Sequence, residues 1–514
     1  MSTTLIDPPG PLSQSRLWQL QREYYARQDV NAWGQGPVPS YITSNPLIAR
    51  AYAQMILGYL RDLDADGTLD RAQPLYVIEL GAGSGRFSYY LRRHLDAILA
   101  RSAFRDLRVV LVMTDLTPGH IDQWRARAEF QPCTRTGNLD FASFDLEHDE
   151  IIHLDVGKTT LSPALPKNPM VFIANYVFDS IPQDLFHAEN NHFEQLMISL
   201  HRGESPDPLI EFHREKITEF HYADPSLNDL LHGFKSKAPR TISIPVAALD
   251  CLKRLRSLSG DKMLLLCADK GYTAAPLASH PIFAHHGCIS MMVNFAAIAR
   301  WVRTHEGEEW HPATPPTALF TAAFAFGLKQ KIETNLAYHQ SLDRAGPDDL
   351  FALKLAAAQF KSDLPWDQAL SYLRLTGFDS AIVSHVWPAL QTQIKAATPS
   401  QIGALIEIIA QIDAWYFPNG ESHDLAFDLG VMLLQLDQFA AAAVQFQKSL
   451  HRFGADAASL INLAMCHHRL AQPDEAQPFL TRAMQLDPAN EMGIRLQHHI
   501  NWARLIEPSA TASF

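Results

Sequence analysis

Apolar residues along this chain fall into three textures. Short apolar runs at 75–80 (LYVIEL), 107–114 (LRVVLVMT), 170–174 (MVFIA) and 262–268 (KMLLLCA) read as strands buried on both faces, and 139–144 (LDFASF) alternates weakly. Helical spacing dominates elsewhere. Leu17, Leu20 and Tyr24 recur within 12–28, with Trp18 and Tyr25 beside them. A Gly/Pro turn at 34–39 follows, then a second helix that Ser44 or Asn45 can cap, with Pro46 in its first position. That helix, ending near Leu60, carries Leu47, Tyr52, Met55, Ile56 and Tyr59. Alternation at 193–200 and 209–222 predicts an antiparallel hairpin inserted into the sheet, and 290–301 (SMMVNFAAIARW) predicts a helix. Beyond 366 the pattern is helical throughout, as in 402–412 (IGALIEIIAQI). Strands alternating with helices, then helices alone, predict a doubly wound α/β domain followed by an all-α domain.

The chemistry gathers at the strand ends. Directly after the first strand the chain reads Glu79-Leu-Gly81-Ala-Gly83-Ser-Gly85, and helical spacing resumes at Arg86. Glycine at such a corner lets a ligand reach the backbone N–H groups at the helix start. The dinucleotide pattern G-x-G-x-x-G fails because position 86 is Arg, and the frame from Gly83 ends on Ser88; a G-K-[S/T] phosphate loop is absent. The remaining pattern, E-x-G-x-G-x-G, resembles the first motif of class I S-adenosylmethionine-dependent methyltransferases. An acid there suits a ligand that presents an ammonium.

Asp115 closes the second strand, where a carboxylate can accept from both ribose hydroxyls, although Asp115-Leu-Thr117-Pro118 can also start a helix. Asp145 closes the third, positioned for an adenine amino group or as part of a solvated acidic loop (Asp145, Glu147, Asp149). Asn175 closes the fourth, at the edge where open α/β sheets bind ligands. Asp179, just beyond, is a candidate to take a proton or orient an amine, or else a helix cap; Asp269, closing the 262–268 strand, is a second such candidate. His285 and His286 are adjacent, point apart on any regular element and make a poor metal site.

Composition narrows the setting. At 514 residues the chain exceeds one ordinary core, and 47% hydrophobic with 19% charged residues describes a globular protein. A net charge of −12 argues against a broad nucleic-acid footprint. Cys133, Cys251, Cys267, Cys288 and Cys466 lack C-x-x-C spacing and read as thiols of a reducing compartment. Pro8, Pro9 and Pro11 without an apolar stretch predict no secretory signal, and no run is long enough to span a membrane, so a cytoplasmic location is expected.

Taken together, Tyr41-Ile-Thr-Ser, Glu79-Leu-Gly-Ala-Gly-Ser-Gly, Ala174-Asn-Tyr-Val-Phe-Asp179-Ser-Ile-Pro182, Asp269-Lys-Gly-Tyr272 and Val293-Asn-Phe295 resemble, in order, the motifs of the MidA-like methyltransferases. The resemblance covers roughly residues 15–360. It implies a class I methyltransferase fold with a substrate insertion, and S-adenosylmethionine as donor. The family includes a mitochondrial complex I assembly factor that methylates an arginine. Here Tyr176 stands where the family usually has Glu, and Asn294 where it often has Asp. Both are acids that a bidentate grip on a guanidinium would use.

In the last third, Leu429-Gly430, Ala442, Phe446 and Ser449 recur as Leu463-Ala464, Ala476, Leu480 and Ala483, at an offset of 34. This resembles two tetratricopeptide repeats, completed by the helices before them. The expected organisation is a helical N-terminal flap (1–70) that helps close the cofactor site, a methyltransferase domain (71–362) with a substrate insertion at about 185–260, and a helical repeat domain (363–514). The expected cofactor-binding residues are Glu79, Gly81, Gly83, Gly85, Asp115, Asp145 and Asn175, with Asp179 and Asp269 as catalytic candidates. The function expected is methyl transfer to a protein client, at arginine or another nitrogen, with the client held by the repeats. A scaffold that has lost turnover and a small-molecule methyltransferase are the alternatives, and oligomerisation is left open.

Overall fold

The computed structural model describes residues 4–28, 41–165, 168–203, 208–273, 283–285, 289–312, 319–360 and 363–506. The turn at 34–39 and the pair His286-Gly287 lie outside the described residues, as does the side chain of His285. Residues 1–352 and 353–514 form two compact units.

In the first unit, strand β1 (Thr4–Pro11) precedes helix α1 (Arg16–Gln28), with a 3-10 turn at Leu12–Gln14 between them. β1 carries Pro8, Pro9 and Pro11, which an edge strand tolerates, and its register slips between Leu5 and Asp7 and again before Gly10. Helix α2 (Pro46–Ala65) is capped by Asn45, whose Oδ1 accepts from Ile48 N at 3.0 Å. The doubly wound core follows: β2 (Leu75–Leu80), α3 (Arg86–Leu99), β3 (Val109–Asp115), α4 (Pro118–Ala126), β4 (Leu139–Ser143) and β5 (Met170–Asn175). Next come β6 (Asp184–Glu189), β7 (His192–Arg202), β8 (Leu209–Lys216), β9 (Arg240–Ile244), α5 (Val246–Leu258), β10 (Met263–Asp269), α6 (Phe295–Thr304), β11 (Glu308–Trp310), β12 (Phe320–Phe326) and α7 (Ile332–Gln340).

Seven strands form the main sheet in the order β11-β12-β10-β5-β2-β3-β4. From β4 to β10 all neighbours are parallel, while β12 runs antiparallel to both β10 and β11. Every residue of β2, β3, β10 and β12 is buried, which is why their sequences read as continuous apolar runs. The order reverses at β2. The chain steps outward through β3 and β4, then returns to β5 on the other side, and this switch point opens a crevice at the strands' carboxyl ends.

The hairpin β7–β8 is not inserted into this sheet. It belongs to a second, antiparallel sheet in which β7 pairs with β8, with β6 near its start and with β1 near its end, while β9 pairs with β6. Period-two alternation identifies a half-buried strand but not its partner, and the partner that closes this sheet comes from the first residues of the chain. Leu17 and Trp18 of α1 pack with Leu185, Leu196, Ile198 and Leu200 of this second sheet.

Helix α2, by contrast, is a core element of the main sheet's layer. It packs against α3 and α7, and Ile48, Tyr52 and Tyr59 have no exposed surface. Gly58 marks the crossing with α7, since a Cβ there would stand 2.6 Å from Glu333 O. Asp62 caps α7 by accepting from Thr334 N at 2.8 Å and Thr334 Oγ1 at 2.7 Å. The stretch 290–301 is not helical throughout: a short strand Ile289–Met291 and a pairing of Val293–Asn294 with Gly271–Tyr272 precede α6. Cys251 and Cys267 are buried, Cys133 is half-buried, and all three are free thiols.

The second unit is helical: α8 (Trp366–Leu375), α9 (Ser380–Gln393), α10 (Pro399–Trp415), α11 (Leu425–Gln435), α12 (Phe439–Phe453), α13 (Ala457–Arg469), α14 (Pro473–Leu486) and α15 (Glu491–Ile506). Helices α11 and α12 pair, as do α13 and α14, with α12 against α13. Gly430 allows the first close pairing, because a Cβ there would meet the Phe446 ring at 2.8 Å. Thr398 and Gln401 close a reciprocal capping box at the start of α10. Among the described residues no helix is long and apolar enough to cross a membrane.

Candidate functional site

The crevice at the switch point is a cleft of about 1370 Å³, its open mouth included. Glu79, Gly81, Gly83, Asp115, Asp145, Asn175 and Asp179 all line it. Gly85 and Asp269 do not.

The glycine corner is shaped from beneath. Gly81, Gly83 and Gly85 have φ of 64, 51 and 78°, the left-handed region that glycine adopts without strain. Gly81 and Gly83 face the cleft. Gly85 serves packing instead, since a Cβ there would stand 2.6 Å from Met113 Cε and 2.9 Å from Phe130 Cζ. Asp115 ties the corner to the next strand: its Oδ2 accepts from Gly83 N at 3.2 Å, and its Oδ1 accepts from Thr117 N at 3.0 Å and lies 3.1 Å from His120 Nδ1. Trp124 on α4 donates through Nε1 to Gly83 O at 2.9 Å. Asp115 therefore braces the loop and the start of α4, in line with the helix-start expectation, and its carboxylate lines the cleft.

Glu79 is buried, and Ser88 Oγ donates to its Oε2. Burial pushes its carboxyl up to about 8; the Ser88 hydrogen bond opposes this and the charge of Asp115 adds to it. At neutral pH the free protein thus keeps a proton here, and a cation entering the cleft would displace it.

On the opposite side, Asn175 Oδ1 accepts from Tyr52 OH at 2.8 Å, while its buried Nδ2 has no partner among the described residues. Tyr176 has a φ of 54°, a conformation that costs a bulky residue about 1–3 kcal/mol. Asp269 turns the chain after it by accepting from Val177 N at 3.2 Å and Phe178 N at 2.9 Å through Oδ2. Asp179 accepts from Ser180 Oγ at 2.7 Å. Burial raises both Asp179 and Asp269, and the shift is larger for Asp269, which the charge of Asp179 pushes further while the Val177 and Phe178 amides oppose it. Both carboxyls are therefore biased toward their protonated forms, Asp269 more strongly than Asp179. Lys270 also lines this side, and its charge favours the Asp179 anion.

Asn294 lies elsewhere. It is fully buried, its Oδ1 accepts from Ala297 N at 3.1 Å as the cap of α6, and its Nδ2 donates to Ser243 O at 2.8 Å. Position 294 is thus a structural cap, and Asn in place of Asp there removes no charge from the cleft.

Sequence reasoning did not find Gln21, Arg22 and Tyr25 of α1, which line the cleft. Arg22 holds Asp145 through Nη1–Oδ2 at 2.9 Å and Nη2–Oδ1 at 3.2 Å, and also pairs with Glu147. Asp145 is held below the usual carboxylate range: burial opposes this, and the Arg22 and Glu147 amide hydrogen bonds together with the Arg22 charge outweigh it. The signal available was positional. Gln21, Arg22 and Tyr25 share one side of a helix whose Leu17 and Trp18 are buried.

An open, mostly parallel sheet with a glycine corner at its switch point and acids at successive strand ends defines a nucleoside-binding α/β protein. A protein-family model described as "Putative S-adenosyl-L-methionine-dependent methyltransferase" matches residues 53–314, just over half of the chain. The chain belongs to that family, and S-adenosylmethionine is its cofactor. Among solved structures it is similar to a Burkholderia thailandensis protein with S-adenosyl-homocysteine bound, at 14% identity and a TM-score of 0.44, covering 65% of this chain and 91% of that one. A second, uncharacterised protein of the same organism matches at 15% identity and a TM-score of 0.40, covering 63% and 90%. No curated protein matches the chain.

The residues present fit this cofactor. Two cradle glycines leave backbone accessible, an unpartnered amide nitrogen sits at Asn175, and Glu79, Asp115 and Asp145 bring carboxylate oxygens to the same cleft.

Proposed function

We propose that this protein transfers the methyl group of S-adenosylmethionine to a nitrogen of a protein client. The observation that carries the reading is one cleft in which the glycine corner, Glu79 and Asp115 face Asp179. The strand order, with β12 antiparallel beside β10, supports a class I arrangement of the methyltransferase fold. When bound, the cofactor supplies an already activated methyl group, so the chain's task is alignment and proton removal. Glu79, Gly81, Gly83, Asp115, Asp145 and Asn175 hold the donor in this reading. Asp179 accepts the proton that an acceptor nitrogen releases as it is methylated, a role worth about 10²–10⁴-fold in rate. Asp269 positions the loop that carries Asp179. Tyr176 forms a wall of the acceptor side, and with one carboxylate there in place of two, an amine or imidazole is better served than a guanidinium.

The helix pairs α11–α12 and α13–α14, with corresponding residues 34 apart, support a tetratricopeptide-like stack that holds the client. A second reading, a scaffold without turnover, draws on Tyr176 standing where the family usually has Glu. Incubating the purified chain with labelled S-adenosylmethionine and cell lysate tests the proposal. Labelled protein bands support it. Label confined to the low-mass fraction makes the acceptor a small molecule, and cofactor binding without transfer favours the scaffold.

A further inference from the structure

Three observations meet at Arg22. First, Leu17 and Trp18 anchor α1 on the second sheet, and one turn further along the same face Gln21, Arg22 and Tyr25 line the cleft. Second, that side is tied to both margins of the cleft. Gln21 Nε2 donates to Ser180 O at 3.3 Å beyond β5, and Arg22 grips Asp145 and Glu147 beyond β4. Third, the hydrogen bonds at Asp145 are unevenly distributed. Among the described residues, its Oδ1 accepts from Arg22 Nη2 and from Glu147 N at 2.9 Å, whereas Oδ2 accepts from Arg22 Nη1 alone. An ionised carboxylate oxygen has two acceptor positions, so Oδ2 keeps one open, on an oxygen whose plane Arg22 fixes.

We infer that Arg22 is a positioning residue for the adenine end of the cofactor: it orients Asp145 so that Oδ2 accepts from the exocyclic amine. The inference rests on the proposed placement of the adenosyl group at Asp145. Without Arg22, Asp145 would keep only the Glu147 amide on Oδ1, and the direction of Oδ2 would no longer be set by a guanidinium. The loop itself is held independently, since Arg254 Nη2 donates to Leu146 O at 2.6 Å and Asp145 N donates to Asp149 Oδ2 at 2.7 Å. Removing Arg22 therefore loosens the carboxylate without releasing the backbone.

The test is a discrimination ratio measured on the full chain with two probes, S-adenosylhomocysteine and S-inosylhomocysteine, which has a carbonyl in place of the amine. Wild type should prefer the adenosyl ligand by about 10–100-fold, because the inosyl carbonyl would oppose Asp145. Arg22→Ala should cut that preference at least about fivefold and weaken S-adenosylhomocysteine binding about tenfold, with Arg22→Lys intermediate. Both ligands are measured on one preparation, so the ratio is independent of the fraction folded. If Arg22 acts through Asp145, Arg22→Ala with Asp145→Ala is no weaker than Asp145→Ala alone. Effects that multiply, a ratio unchanged by Arg22→Ala, or a wild type that does not discriminate would overturn the inference. A wild type that binds neither probe would instead overturn the methyltransferase reading beneath it.

Discussion

The two sides of the cleft are built differently. On the β2–β3–β4 side a left-handed glycine corner, with Gly81 and Gly83 on the cleft, is braced by Asp115 and Trp124 from the adjacent strand and helix. On the β5–β10 side the surface is made of side chains whose places depend on distant elements. Asp269 arrives from β10 to turn the chain at 177–178, Tyr52 reaches Asn175 from α2, and Tyr176 is held in a strained conformation. In the proposed reading the first side holds the donor, and the second, Asn175 apart, meets the acceptor. Donor binding and methyl transfer should accordingly fail separately when each side is altered.

The largest effect is expected on the glycine-corner side. Gly83→Arg places a long side chain on a left-handed residue facing the cleft, and cofactor affinity should fall at least about a hundredfold in a calorimetric titration. If the variant binds as tightly as wild type, the glycine corner is not the donor site. Asp179→Asn should break the other side alone. Turnover with labelled donor should drop about 10²–10³-fold, with cofactor affinity held within about twofold. A parallel loss of affinity would place Asp179 on the donor side and dissolve the comparison.

A pH effect sharpens the contrast. Glu79 titrates near 8 in the free protein, so below that pH a proton must leave before its carboxylate can meet a cation. Cofactor affinity should rise roughly tenfold from pH 6.5 to 8 and level off above, with up to one proton released per binding event, and Glu79→Gln should flatten the profile. The same shift sets the sign for stability. A carboxyl raised from 4.5 to about 8 on folding contributes stability fully below pH 4.5 and loses it as pH rises through about 8, so thermal melts of wild type relative to Glu79→Gln should decline across that window. A flat affinity profile would mean that Glu79 stays protonated throughout. The smallest effect is expected away from the cleft. Asn294→Ala removes the cap of α6 and should cost about 1 kcal/mol in a denaturant melt with unaltered turnover.

The contrast also explains what could be read from the sequence. Glu79, the glycines and Asp115 were legible because each is fixed within its own strand and the turn after it, and the unbroken apolar runs of β2, β3, β5 and β10 declared a parallel sheet. Asp179 and Asn175 were legible as positions, but the contacts that orient them were not. Nothing local in Asp269 announces that it will cap a turn some ninety residues earlier. Asn294 looked like a lost acid because its capping role depends on where α6 begins. The alternation of 193–200 marked a strand without revealing that its neighbours include the proline-bearing β1. Arg22 escaped notice for a related reason: its partners lie more than 120 residues away, and only the second sheet brings them together.

The central claim, that the switch-point cleft receives an adenosyl sulfonium on main chain and acids, is tested most directly by titrating the full chain with S-adenosylmethionine in a calorimeter at pH 7, in two buffers of different ionisation enthalpy. One site per chain with net proton release, absent in Gly83→Arg, is the predicted result. No binding heat from wild type, or heat that survives in Gly83→Arg, would contradict it.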